Sequence, residues 1–136
     1  MQIPQFLALA FANFILGWLW YSPAAPWFKT WVKGTGLNPD PAKMSDADKA
    51  RMPFLFGGAI VSSVALSYVL QVVVRSLNAE TAGQGASIGL ALWAGLVLPV
   101  LLGTLWEGRK AVVVAINAGN YLVVCTVFAG ILAVWR

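Results

Sequence analysis

Four stretches of this chain carry no ionisable charge. Residues 1–28, 52–74, 81–106 and 111–135 contain no Asp, Glu, Lys, Arg or His. Each is long enough to cross a bilayer, because a helix rises about 1.5 Å per residue and the hydrocarbon core is about 30 Å thick. With 60% hydrophobic and 10% charged residues in 136, the chain has too little polar surface for a water-soluble domain. The expected fold is an all-α membrane protein occupying 1–136 as one domain. Its four transmembrane helices, at about 3–21, 53–77, 85–106 and 111–135, form a compact bundle.

The connections carry their own signals. Ser22-Pro23 and Pro26 end the first span, because proline cannot continue the helical hydrogen-bond ladder. In Trp27-Phe28-Lys29-Thr30-Trp31-Val32-Lys33, the apolar residues fall at i, i+1, i+4 and i+5 with both lysines elsewhere. This predicts a short amphipathic helix in the headgroup layer within an interfacial loop at 22–52. The bland alternative is a loop whose tryptophans merely anchor the interface, a role open to Trp20, Tyr21, Trp27, Trp31 and Trp106. Gly34-Thr35-Gly36 and Asn38-Pro39-Asp40-Pro41 read as turns. Ser45 reads as an N-cap with Asp48 at N3 of the second helix, and Pro53 bends that helix where it enters lipid. Residues 78–84 form a polar turn. Glu107-Gly108-Arg109-Lys110 forms a tight one, with Glu107 and Arg109 as helix-end charges expected to pair at the surface.

Orientation follows from basic residues. The first and third connections hold seven of the nine Lys and Arg, leaving only Arg75 and Arg136 for the other side. The positive-inside rule makes those connections cytoplasmic and both termini periplasmic. The sequence pI near 9.6 therefore reflects attraction to anionic lipid; no nucleic-acid partner is expected. The N-terminus has no basic region or clear cleavage site and reads as a retained helix. Cys125, alone in an apolar run, is a packing residue.

Internal similarity suggests two repeated helical hairpins. Gly17-Trp18-Leu19-Trp20 resembles Gly103-Thr104-Leu105-Trp106, and Ser67-Tyr68-Val69-Leu70 resembles Asn120-Tyr121-Leu122-Val123. True repetition and the commonness of Gly, Leu, Trp and Tyr at such places explain this equally well. Small residues recur every four positions at Ala59-Ser63-Ser67, Ala91-Gly95-Pro99-Gly103 and Ala111-Ala115-Gly119. Such ridges let helices approach closely in lipid. Pro99 favours a local kink that serves packing.

Asn13, Asn117 and Asn120 most need explanation, since an unpaired amide in hydrocarbon costs several kcal/mol. Asn13 and Asn117 fall at one depth, about 10 Å from the cytoplasmic helix ends. Asn117, Asn120 and Tyr121 share one helical face, so a cluster of all four is possible. Interhelical hydrogen bonds explain it most simply; a site for a small solute or ion is the alternative.

Catalysis finds little support. Without histidine and with one cysteine there is no imidazole base and no conventional zinc, iron or thiolate centre, and no cofactor is expected. Asp46 and Asp48 are accounted for by helix capping, and Gly34-Thr35-Gly36 lacks the ending of a phosphate loop. Small multidrug transporters have similar length but use a glutamate in their first helix, where this chain has only Asn13.

Gly17-Trp18-Leu19-Trp20-Tyr21-Ser22-Pro23, followed by Trp27-Phe28-Lys29 and Gly36-Leu37, resembles the opening of the bacterial membrane family catalogued as domain of unknown function 1761. Glu107-Gly108-Arg109 and Ile116-Asn117-Ala118-Gly119-Asn120-Tyr121 are similar to its second half. The resemblance implies a four-helix inner-membrane protein and supplies no activity. The functional expectation is a non-catalytic integral membrane protein, either a homo-oligomer or an accessory subunit of another membrane assembly. The alternative is a small channel or transporter using Asn13, Asn117, Asn120 and Tyr121.

Overall fold

A computed structural model describes residues 4–36 and 45–135, and every regular element among them is helical. Helix α1 spans Gln5–Trp20, α2 Phe28–Thr35, α3 Asp46–Ser76, α4 Ala82–Glu107 and α5 Ala111–Val134. The last three are long and apolar enough to cross a membrane. Helix α1 is apolar but has 16 residues, about 24 Å at the usual rise. Three helices, not four, therefore meet the length of a span. Ile3, the Asn38-Pro39-Asp40-Pro41 turn and Arg136 lie outside the described residues.

Local chemistry sets the boundaries. After α1, Ser22 Oγ donates to Leu19 O and accepts from Ala24 N, turning the chain before the prolines. Helix α2 ends at Gly36, whose φ of 70° places it in the left-handed region that glycine tolerates. Ser45 caps α3 by accepting from Asp48 N at 3.2 Å, and that helix continues through Pro53. Helix α4 begins three residues before the expected span because Thr81 and Gln84 form a reciprocal capping box. Thr81 Oγ1 accepts from Gln84 N, and Gln84 Oε1 accepts from Thr81 N.

The long helices pack in two pairs: α1 lies on α3, and α4 lies on the C-terminal half of α5. Helix α2 packs against the N-terminal half of α5. Near the N-terminus, Phe6 N donates to Gln71 Oε1, Arg75 Nη2 donates to Gln5 Oε1, and Phe6 meets Tyr68 edge to face. This end also holds the apolar core of Leu9, Leu70, Val74, Val124, Phe128 and Leu132. The outside stays apolar, with Phe54 82% exposed, which fits lipid as the solvent.

The expected ridge on α4 is not the contact. Ala91, Gly95, Pro99 and Gly103 are all exposed, with open space around Gly95 and Gly103. The close approach uses Gly85 and Gly89, where an added Cβ would strike the carbonyls of Ala129 and Cys125. A four-residue spacing identifies a row but not its partner, and α4 carries two such rows. On α5, Ala111 and Ala115 are likewise exposed, whereas Ser63 and Ser67 of α3 are buried. Pro99 follows a π turn at Trp93–Val97, and α5 has a second at Val124–Phe128. No such turn occurs in α1 or α3, so the two helix pairs differ in detail.

Candidate functional site

At the opposite end from the apolar core, α1, α3 and α5 leave a cavity of about 370 Å³. Its lining includes Asn13, Asn120 and Tyr121. Asn13 and Asn120 are buried, on helices far apart in sequence. Asn117 stands outside the lining and accepts a 2.8 Å hydrogen bond from the Tyr21 hydroxyl. Tyr21 itself lines the cavity, with the Asn120 amide and the Tyr121 ring beside the same hydroxyl. Asn117 thus holds a wall residue in place.

The aromatic residues at this end pack into the protein. Trp20 Nε1 donates to Ile116 O at 3.1 Å, and Trp27 Nε1 donates to Trp20 O at 2.8 Å. The two rings lie 4.5 Å apart, and Tyr21 lies 4.9 Å from Trp31. Trp31 closes one side of the cavity. It faces inward because Gly34, one turn along α2, rests against Val113 of α5, where an added Cβ would collide. Trp106 is different, being 95% exposed. Glu107 and Arg109 are exposed as well, and Glu107 forms no ion pair with Arg109 or Lys110; the expected pair is absent. Gly108 between them, at φ 84°, ends α4 in the left-handed region.

Two polar atoms of residues that line the cavity, the donor Trp31 Nε1 and the acceptor Asn120 Oδ1, lack a hydrogen-bond partner among the described residues and are buried out of reach of a water-sized molecule. Such groups are rare in folded proteins because each costs about 1–3 kcal/mol. The rest of the wall comes mainly from Phe14, Trp18, Leu55, Phe56 and Leu66, with Ser62 and Ser63 on α3. Sequence reasoning missed Trp31 and Phe56 as cavity residues; both belong to aromatic runs that read equally well as interface or lipid-facing positions. Among the described residues, the lining contains no Asp, Glu, Lys, Arg or Cys. Among the described residues, no cluster of three or more His, Cys, Asp or Glu side chains is placed to hold a metal ion.

The site is therefore a mostly apolar cavity with a few convergent polar groups, a form suited to binding. Residues 5–133 match the family model described as protein of unknown function DUF1761. The chain belongs to this family. The DUF1761 match runs from the start of α1 almost to the end of α5, so it takes in every helix that contributes to the cavity. No curated protein and no solved structure matches the chain.

Proposed function

We propose that this DUF1761 protein is a non-catalytic, multi-pass membrane protein that holds a small molecule in the cavity between α1, α3 and α5. The observation that carries this reading is the convergence of Asn13, Asn120 and Tyr121 on one apolar cavity. Among the described residues, its lining supplies recognition groups but no carboxylate, imidazole or thiol. Helix α1 serves as the fourth span, since it runs alongside α3 and is pinned to it near Gln71 and Arg75. The shortfall of about one turn is met by local bilayer thinning. A bacterial inner membrane, both termini periplasmic and a role as homo-oligomer or accessory subunit complete the proposal.

Passage of a solute through one copy is the weaker reading. Toward the N-terminal end Leu9, Leu70, Val74 and Phe128 pack into an apolar core, which favours retention over conduction.

Ala59 is exposed at the cavity mouth, so Ala59→Trp should fill the entrance without disturbing the core. Both proteins would be loaded with total bacterial lipid extract in nanodiscs and weighed by native mass spectrometry. The expected result is a bound small molecule on the wild type and none on the variant. Ligand-free masses for both, or equal loading, would overturn the proposal.

Orientation has a separate test in a Cys125→Ser background. A cysteine at Lys33 should be shielded from an impermeant thiol reagent in intact cells, and one at Glu80 should be labelled. The reverse pattern would invert the topology.

A further inference from the structure

We infer that the occupant of this cavity is an uncharged, flat aromatic molecule whose carbonyl or similar acceptor takes a hydrogen bond from Asn13. The inference rests on the reading of the cavity as a binding site and adds the chemistry of the ligand. Six aromatic side chains line the wall: Phe14, Trp18, Tyr21, Trp31, Phe56 and Tyr121. Phe14 of α1 meets Phe56 of α3 at 6.3 Å and 49°, and Tyr21 meets Trp31 at 4.9 Å and 45°. Neither pair is stacked in parallel, so each leaves ring surface that its partner does not cover. A flat ring against such walls gains offset and edge contacts that a saturated molecule of the same size lacks.

Asn13 supplies the polar end. It is only 9% exposed, and Ser63, also in the lining, is 7% exposed. Among the described residues neither side chain has a hydrogen-bond partner, yet neither is shut off from a water-sized molecule as Trp31 Nε1 and Asn120 Oδ1 are. Their polar atoms are therefore open to an occupant. Asn13 Nδ2 carries protons for donation, and the Ser63 hydroxyl adds another. An occupant without an acceptor would cover these donors and leave them unmet.

Charge and size narrow the class further. Among the described residues no acidic or basic side chain lines the cavity, so an ionised ligand would be buried without a counter-charge. The rim residues Trp18 and Phe56 are 64% and 47% exposed on apolar helices, which suits a ligand dissolved in lipid. The volume of about 370 Å³, set against about 30 Å³ for one water in the liquid, gives room for roughly a dozen heavy atoms. That matches a substituted pair of fused rings.

The test is equilibrium binding of tritiated acetylnaphthalene to the full-length protein in phosphatidylcholine nanodiscs, with empty nanodiscs as background. Unlabelled competitors of nearly equal size would be added at matched mole fraction in the membrane. Acetylnaphthalene should compete about tenfold better than isopropylnaphthalene, which lacks the acceptor, the scale of one hydrogen bond. It should compete about fivefold better than acetyldecalin, which keeps the carbonyl but is not flat. Naphthoate and naphthyltrimethylammonium, the ionised counterparts, should be weakest. Asn13→Leu should erase the preference for acetylnaphthalene over isopropylnaphthalene and leave isopropylnaphthalene binding in place. If Asn13→Leu does not fold, Asn13→Ala removes the same amide, and the wild-type ranking tests the ligand class by itself.

Equal competition by isopropylnaphthalene or acetyldecalin, or better competition by either ion, would overturn the assignment and leave the cavity as a binding site. So would an unchanged preference in a folded Asn13 variant. If no member of the series binds saturably while native mass spectrometry still finds a ligand that Ala59→Trp excludes, the ligand class is wrong and the binding reading stands. Failure of both experiments sinks the binding reading itself, with water alone meeting Asn13 and Ser63.

Discussion

Replacing Gly89 with leucine should force α4 away from α5 and destabilise the protein by roughly 3 kcal/mol or more, at or beyond the upper end of ordinary overpacking. Thermal unfolding in detergent, followed by circular dichroism, would read the loss. The reason is the kind of atom in the way. A Cβ at Gly89 meets the Cys125 carbonyl, with the Ala129 Cβ at 3.0 Å, and backbone cannot swing aside as a long side chain can. Gly85 repeats the contact one turn earlier against the Ala129 carbonyl, with the Ala133 Cβ at 2.8 Å. Helix association in lipid depends on this closeness, because apolar surface gains little by leaving apolar solvent. Gly58→Leu on α3 is the matched control, since nothing lies within 4 Å of its position. It should change stability by no more than about 0.5 kcal/mol. Equal melting of the Gly89 variant and the control would show that α4 is not held by this contact.

The same glycines show where sequence reading succeeds and where it stops. Absence of charge marked the long helices, and a capping serine followed by Asp48 marked the start of α3. These are local signals, decided within one turn of the chain. Thr81 and Gln84 were equally local and could have placed the start of α4, had the Thr-x-x-Gln spacing been weighed against the polar run around it. The face of α4 was not local. Gly85 and Gly89 matter only because Cys125 and Ala129 stand opposite, 36 to 44 residues on in sequence. No periodicity within α4 separates that row from Ala91-Gly95-Pro99-Gly103.

The cavity was legible in the same partial way. Asn13, Asn120 and Tyr121 stood out because polar side chains in an apolar run demand partners. Helical spacing alone put Asn117, Asn120 and Tyr121 together. The separate role of Asn117 depends on Tyr21, which follows the last residue of α1 and reads as an interface aromatic. Trp31 reaches the cavity only because Gly34 lets α2 settle onto Val113. That docking joins segments about 80 residues apart, and amphipathicity says only that α2 has an apolar face, not what covers it.

Trp20→Ala should be the most damaging change on α1, costing about 3 kcal/mol, the low end for truncating a packed aromatic residue. One indole makes three attachments. Its N–H reaches Ile116 O, its Cζ2 atom would lie 3.2 Å from a Cβ at Gly119, and its ring lies against Trp27. Trp27 in turn donates to the Trp20 carbonyl, so the chain leading into α2 is tied to the same point. Such lateral ties matter most for α1 because, at 16 residues, it is shorter than the three helices long enough to cross a membrane. Trp20→Phe keeps most of the ring and loses the N–H bond, so it should cost only about 1 kcal/mol. Limited proteolysis between Tyr21 and Ser45, together with the melting temperature, separates the possibilities. Faster cleavage and a lower melting temperature for Ala than for Phe support the tie, whereas equal behaviour of both variants and the wild type would show that α1 is held from its other end, at Gln71 and Arg75.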